Sequence, residues 1–183
     1  HLVQNYRKLS NMYGDDLYSL FNVSEEEFQQ VALEKACAAP DDDDTKADAG
    51  GVEVSLAARL GTKGVVRSPL VAAKAIRAAD FRCEIDPAHW TFTSKARQQK
   101  YVEAHHLIPL SHQNKFEYSL DVVANIISLC ATCHRMLHFG VSKEKRSVLR
   151  LLLNQRRSKL LEKAIDIKDR DFLELYGNMA IGD

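Results

Sequence analysis

Residues 101–140 decide the fold and the chemistry of this chain, and they read YVEAHHLIPLSHQNKFEYSLDVVANIISLCATCHRMLHFG. The stretch holds five of the seven histidines among the 183 residues, together with a CxxC pair. Residues 101–107 and the β-branched run 125–129 are each predicted to form a strand. Residues 131–139 are predicted to form a helix that ends before a glycine. The order strand, loop, strand, helix predicts a ββα unit.

The CxxC pair is predicted to bind a metal ion. Cys130 and Cys133 lie at the predicted strand-to-helix turn, where two thiolates can face one tetrahedral ion. Two ligands do not complete a structural zinc site, and the segment RCEIDPAHWTF offers further donors in Cys83 and His89. Imidazole beside three thiolates is a common zinc set, so His89 is predicted as the fourth ligand. Asp86 is the alternative fourth ligand. In that case His89 only packs or caps.

The histidines of the stretch suit a second metal site. His134 and His138 are four residues apart on one helix, so both imidazoles can reach one ion. His105 and His106 are adjacent on a strand and are expected to point to opposite sides. One of them can then ligate a metal while the other takes a proton from water. Phosphodiester hydrolysis uses this division of labour, because the ion stabilises the phosphorane charge and the leaving oxygen.

Three motifs in this order resemble one known family. EAHHLIPL, Asn125 within ANIISLC, and CATCHRMLH are similar to the HNH (ββα-metal) endonucleases. The resemblance is greatest to the HNH domains of modified-cytosine restriction enzymes and related prokaryotic defence nucleases. It covers residues 83–140 closely and residues 68–176 loosely. It implies an α+β fold, in which a ββα-metal core with a structural zinc is surrounded by helices.

The resemblance also implies roles for individual residues. His106 is expected to be the general base, and Asn125 to brace the loop and orient that base. The catalytic divalent ion is expected to be Mg²⁺, Mn²⁺ or Ni²⁺. Its expected ligands are the imidazoles of His105, His134 and His138. Many relatives have Asp at the position of His105. The structural zinc is held by Cys130 and Cys133. At Asp86 the family often has cysteine, so the chain departs from the pattern there and its fourth zinc ligand stays open.

The distribution of charge favours DNA as the partner. The net charge is zero, but residues 83–163 carry 13 basic and 7 acidic side chains. This excess surrounds the histidines, as expected where a polyanion must reach them; a solvated helix face is the alternative. A helix capped by Ser142 is predicted over 142–164, with a leucine stripe for packing. Its predicted DNA contacts are Arg146, Arg150, Arg156 and Arg157.

The remaining sequence suggests three regions. A helix is predicted over 24–38, because Ser24 and Glu27 form a capping box before an apolar pattern. The run PDDDDTKADAGG at 40–51 is predicted to be a flexible acidic linker. The predicted division is therefore a helical segment of unknown role at 1–39, the linker, and an HNH nuclease domain at 52–183 with its core at 83–140.

The sequence therefore predicts a metal-dependent DNA endonuclease of restriction or phage defence in the cytoplasm of a prokaryote. The alternative function is a zinc-stabilised DNA-binding module with a silent nuclease site. The sequence leaves open whether the chain forms a homodimer and whether it acts with a separate sensor or recognition domain. No membrane partner is expected, because no apolar run approaches the length that spans a bilayer.

Overall fold

The computed structural model of this protein describes residues 24–38, 67–95 and 97–177. The predicted acidic linker at 40–51 lies outside these residues. The elements follow in chain order as α1 (Glu25–Cys37), α2 (Pro69–Ala78), β1 (Glu103–His106), β2 (Ile126–Leu129), α3 (Ala131–Phe139), α4 (Ser142–Glu162) and α5 (Asp169–Glu174). Two 3-10 helices, Leu110–Lys115 and Val123–Asn125, lie between the strands. The α+β class and the ββα order are confirmed.

Local signals set the beginnings of the first two helices. The Glu27 amide donates to the Ser24 hydroxyl at 3.2 Å, and the Ser24 amide donates to the Glu27 carboxylate at 3.0 Å. The predicted capping box is therefore confirmed. At the start of α2 the Ser68 hydroxyl accepts the Val71 amide. Pro69 occupies the first helical position, where a missing amide proton costs no hydrogen bond.

The two strands form an antiparallel pair. Glu103 lies opposite Leu129, and His106 lies opposite Ile126. Both strands are shorter than predicted. β1 is Glu103–His106 rather than 101–107, and Asn125 belongs to the 3-10 helix that precedes β2 rather than to β2 itself. The chain leaves β2 directly into Cys130, which is the N-cap of α3.

Helix α1 covers the free edge of β1. The side-chain amide of Gln29 donates to the Ala104 carbonyl at 2.7 Å and accepts from the Ala104 amide at 2.7 Å. Gln29 is only 2% exposed, so its amide replaces the hydrogen bonds of a third strand. Phe28, Ala32 and other apolar residues of α1 share one buried cluster with α2, β1 and β2. The described part of the predicted segment 1–39 therefore packs on the two strands and α2, while the boundary of that segment stays a prediction.

The second buried cluster lies under α4. The predicted leucine stripe is confirmed at Leu149, Leu152, Leu153 and Leu160, which pack with Phe172 and Leu173 of α5. Leu161 is 51% exposed and lies outside it. The cap of α4 is Val141 rather than the predicted Ser142, which is the first helical residue. None of the helices in the described ranges combines the length and hydropathy of a membrane-spanning segment.

The prediction that Arg156 contacts DNA is wrong. Arg156 is 6% exposed, and its guanidinium pairs with the Glu84 carboxylate. The same carboxylate accepts the Ser128 amide at 2.8 Å, so Arg156 fastens α4 to β2. Arg157 donates to the Ile167 carbonyl and pairs with Asp169, which also gives it a structural partner. DNA contacts by Arg150, which is exposed, and Arg146, which is partly buried, stay predictions.

The Gln29 contacts allow a direct test of how α1 is attached. Gln29→Leu removes both hydrogen bonds and leaves the buried amide and carbonyl of Ala104 without partners, so the free energy of unfolding should fall by about 2–4 kcal/mol. Urea unfolding followed by circular dichroism measures this change. The matched control is Gln30→Leu on the exposed side of the same helix, which should change stability by less than about 0.5 kcal/mol. Equal stability of the two variants would contradict this account.

Candidate metal centres and active site

Three imidazoles converge between β1 and α3. The Nε2 atoms of His134 and His138 are 3.1 Å apart, and the His105 ring centroid lies 5.0 Å from each of their ring centroids. One ligand nitrogen from each of the three residues lies within 4.8 Å of the others. Two nitrogens bound to one ion at about 2.1 Å are about 3.0–3.4 Å apart. The three predicted residues therefore fit one shared ion.

Two of the three imidazoles, His105 and His138, have pKa values below the usual histidine value, which favours the neutral form that ligates metals. Burial holds the pKa of His105 well below its usual value, and the nearby His134, His138 and His106 lower it further. Burial and the proximity of His134 also lower the pKa of His138. A metal ion therefore meets little competition from protons at neutral pH.

Glu103 supports this cluster from behind His134. Its carboxylate accepts a hydrogen bond from the His134 Nδ1 and another from the Tyr101 hydroxyl at 2.9 Å. Burial acts to raise the pKa of Glu103, but the hydrogen bonds from His134 and Tyr101 outweigh it and the pKa falls. The carboxylate keeps the proton on Nδ1, which leaves the Nε2 lone pair of His134 for an ion.

Tyr176 supports His105 from the carboxyl end of the described chain. Its hydroxyl donates to the Leu107 carbonyl at 2.6 Å and lies 3.4 Å from the His105 Nε2. Because the hydroxyl proton is committed to the carbonyl, the oxygen is free to accept from the His105 Nε2–H. That tautomer leaves the lone pair of His105 on Nδ1.

His106 stands apart from the three imidazoles. Its Nε2 lies 2.7 Å from one Asp121 oxygen, and the other Asp121 oxygen accepts the Ser68 amide at 2.6 Å. His106 nevertheless lines the same cavity of about 440 Å³ as His105, His134 and His138. A carboxylate on one ring nitrogen fixes the tautomer and stabilises the protonated ring. This arrangement suits a general base beside a metal site.

Asn125 braces the loop that follows β1. Its side-chain amide donates to the carbonyls of Ile108 and Leu120 at 2.9 and 2.8 Å, and its side-chain oxygen accepts the Ile108 amide at 2.8 Å. Its backbone carbonyl accepts the Leu107 amide at 2.8 Å. These bonds fix the residues directly after His106. The bracing predicted for Asn125 therefore acts on the loop backbone, and any influence on the base passes through it.

The four predicted zinc ligands Cys83, His89, Cys130 and Cys133 lie together, with their ligand atoms within 4.8 Å of one another. The His89 Nδ1 lies 3.2 Å from the Cys133 sulfur and 3.9 Å from the Cys130 sulfur. A tetrahedral zinc with bonds of about 2.3 Å to sulfur and 2.0 Å to nitrogen separates them by about 3.5 Å, so the cluster could hold zinc. Asp86 instead accepts the Ala88 amide and lies 3.9 Å from the His89 Nε2, so it stands behind the cluster.

The thiols of this cluster resist ionising together. Burial acts to raise the pKa of Cys83, but the amides of Cys130, Asp86 and Ile85 donate to its sulfur and lower it. The pKa of Cys133 is raised by burial and by the neighbouring Cys130 and Cys83. A bound cation removes this repulsion, because the thiolate is the form that ligates zinc.

Comparison with known proteins agrees with this geometry. The HNH endonuclease family model matches residues 92–140, which contain β1, β2 and α3 together with His105, His106, His134 and His138. Residues 92–140 therefore match the HNH endonuclease family. The match does not include Cys83 and His89 of the candidate zinc site. Helices α1 and α4 also lie outside it.

The chain is also similar to a solved structure. It is that of ScoMcrA, a Type IV phosphorothioation-dependent restriction endonuclease, with a TM-score of 0.43 and 21% sequence identity. The alignment covers 78% of this chain and 24% of that chain, so this protein spans about a quarter of its length. A search among curated proteins gave no match.

Several residues of the site carry no motif of their own. Tyr176, Asp121, Glu25 and Arg67 reach it from distant parts of the sequence. Glu103 is buried, and its carboxylate contacts His134. Its position two residues before His105 is the one sequence signal that pointed to it.

The role of Glu103 can be measured through metal affinity. Glu103→Gln removes the carboxylate that orients His134, so Mn²⁺ binding at the imidazole cluster should weaken by about 10- to 100-fold. Titration calorimetry on protein that retains its zinc measures this affinity. Glu162→Gln, at an exposed position of α4, is the control and should bind as the wild type does. Equal Mn²⁺ affinities for the wild type, Glu103→Gln and Glu162→Gln would show that Glu103 does not support metal binding.

The zinc cluster can be tested by metal analysis. The purified protein should carry about one tightly held zinc ion per chain. Cys133→Ser should lose this ion together with much of the thermal stability, whereas Asp86→Asn should keep both. If Asp86→Asn lost zinc as completely as Cys133→Ser does, Asp86 would be identified as a zinc ligand. Folded wild-type protein without zinc would rule out the structural site.

Proposed function

We propose that this protein is a metal-dependent DNA endonuclease of the HNH type that hydrolyses phosphodiester bonds. The observation that carries the proposal is the convergence of His105, His134 and His138 beside the His106–Asp121 pair in one cavity. A separate structural zinc at the cysteine cluster is part of the proposal. The nuclease proposal is motivated by three converging imidazoles supported by the Glu103 carboxylate, because such a carboxylate behind a histidine ligand is typical of functional metal sites.

In the proposed reaction the protein orients the base and holds the ion. When bound, a divalent ion supplies positive charge to the scissile phosphate and the leaving 3′ oxygen. His106 donates its Nε2–H to Asp121, which leaves Nδ1 as the proton acceptor for the attacking water. Asp121 then stabilises the imidazolium that forms. The loop held by Asn125 keeps His106 in this position relative to β1.

The ligand chemistry narrows the choice of ion. Imidazole suits transition metals, whereas Mg²⁺ prefers carboxylates, carbonyls and water. The candidate set consists of three imidazoles, so Mn²⁺ and Ni²⁺ are favoured over Mg²⁺. This set keeps coordination positions for water and a phosphate oxygen, because three protein ligands leave an ion open on one side.

The biological setting is proposed from the sequence resemblance. Restriction or phage defence in a prokaryotic cytoplasm fits the branch of HNH domains that the motifs resemble. Backbone contacts carry no sequence information, so target choice is assigned to a separate recognition domain or a second copy of the chain. Arg146 and Arg150 are proposed as further contacts of α4 with the DNA backbone.

The activity can be tested on supercoiled plasmid DNA. The wild-type chain should nick or linearise the plasmid with Mn²⁺ or Ni²⁺ and not with EDTA. His106→Ala should lower the rate by about 10²- to 10⁴-fold, because the general base is lost. Gel electrophoresis over a time course measures both.

A matched histidine serves as the control for this test. The His112 Nε2–H donates to the Leu175 carbonyl at 3.2 Å, and His112 belongs to neither metal cluster. His112→Ala should therefore cleave at nearly the wild-type rate. Full activity of His106→Ala would contradict the assigned base. DNA binding by the wild type without cleavage in any metal would favour the alternative, a zinc-stabilised binding module with a silent site.

A further inference from the structure

Two charged residues outside the HNH match reach the proposed catalytic cavity. Glu25 is the first residue of α1, and Arg67 precedes α2. Both line the cavity that contains His105, His106, His134 and His138. Lys145 of α4 lines it as well. The cavity wall therefore combines the HNH core with side chains from both flanking regions.

Arg67 is held at the cavity by a short chain of contacts that begins at the catalytic strand. The Gln29 amide is fixed to the backbone of Ala104, which lies between Glu103 and His105. Gln29 also donates to one oxygen of Glu25 at 2.7 Å, and the other oxygen of Glu25 accepts from Arg67 at 2.6 Å. Arg67 is thus positioned relative to the strand that carries both His105 and His106.

The Arg67 guanidinium is oriented and still accessible. It lies 4.3 Å from the centroid of the Phe28 ring, and its side chain is 30% exposed. The contact with Glu25 involves one terminal nitrogen, Nη1, and a guanidinium carries five N–H donors. Donors remain for an anion, and the planar fork matches two oxygens of one phosphate.

We propose that Arg67 binds a backbone phosphate of the DNA in this cavity, with Glu25 as its positioning residue. The proposal rests on the nuclease function proposed above and extends its substrate site to α1 and the segment before α2. A polyanion that enters the cavity requires compensating positive charge. Among the described residues that line the cavity, Arg67 and Lys145 are the Lys and Arg side chains that supply it. A purely structural pair between α1 and residue 67 is the competing explanation.

The salt dependence of DNA binding separates these explanations. Binding of a duplex is measured in EDTA, where no cleavage occurs, over a range of salt concentrations. Arg67→Ala should weaken binding and make the slope of log K against log salt shallower by about one, as expected for one lost phosphate contact. Arg67→Lys should keep most of the slope because it keeps the charge. Arg82→Ala, which removes an exposed arginine paired with Asp80, is the control and should leave the slope unchanged.

Turnover and metal binding complete the test. Arg67→Ala should slow Mn²⁺-dependent plasmid cleavage by about 10- to 100-fold, with Mn²⁺ affinity and thermal midpoint close to the wild-type values. Glu25→Gln should keep the wild-type salt slope, because Arg67 retains its charge, and should slow cleavage less than Arg67→Ala does.

Two results would overturn the proposal. One is a wild-type salt slope in Arg67→Ala. The other is a slope in Arg67→Lys as shallow as in Arg67→Ala, with both variants less stable than the wild type, which would identify a structural pair. Absence of cleavage by the wild type in every metal would refute the nuclease function instead, and the salt slopes would still decide whether Arg67 contacts phosphate.

Discussion

The antiparallel pairing of β1 with β2 is the constraint on which both candidate metal sites depend. β1 carries Glu103, His105 and His106, and β2 leads directly into Cys130 and the imidazoles of α3. A shift of one residue in this register would exchange the faces of His105 and His106. The same strand also positions the zinc cluster, because the Glu84 amide donates to the Ser128 carbonyl at 2.8 Å and so brings Cys83 to Cys130.

The candidate zinc site and the imidazole cluster both take residues from α3. Cys130 and Cys133 lie in the first turn of α3, and His134 and His138 follow along the helix. A zinc ion at the thiols would fix the start of α3 against the segment that carries Cys83 and His89. The imidazoles would then face β1 in a constant position, while Glu103 and Tyr176 set their tautomers. A structural ion at the thiols, beside the proposed catalytic ion, would give a small two-stranded sheet the rigidity that catalytic geometry needs.

The motifs of the sequence predicted both candidate ligand sets, whereas the residues that support them through tertiary packing were missed. The spacing of HxxxH and CxxC was sufficient to predict four candidate ligands, because a helix and a turn fix their geometry locally. Asp121 and Tyr176 could not be found in this way, since their contacts with His106 and His105 depend on tertiary packing. Arg156 was misread because charge was given more weight than position. It follows Leu149, Leu152 and Leu153 on the buried stripe of α4, and that spacing was the available signal.

The central claim is that the three imidazoles bind one divalent ion apart from a structural zinc. Anomalous X-ray diffraction from crystals of the protein grown with Mn²⁺ tests it most directly. The account predicts one peak at the zinc edge within bonding distance of Cys83, His89, Cys130 and Cys133. It predicts a second peak, from manganese, within bonding distance of His105, His134 and His138, with His106 outside its coordination. A manganese peak bound by His106, or none at the imidazoles, would contradict the account.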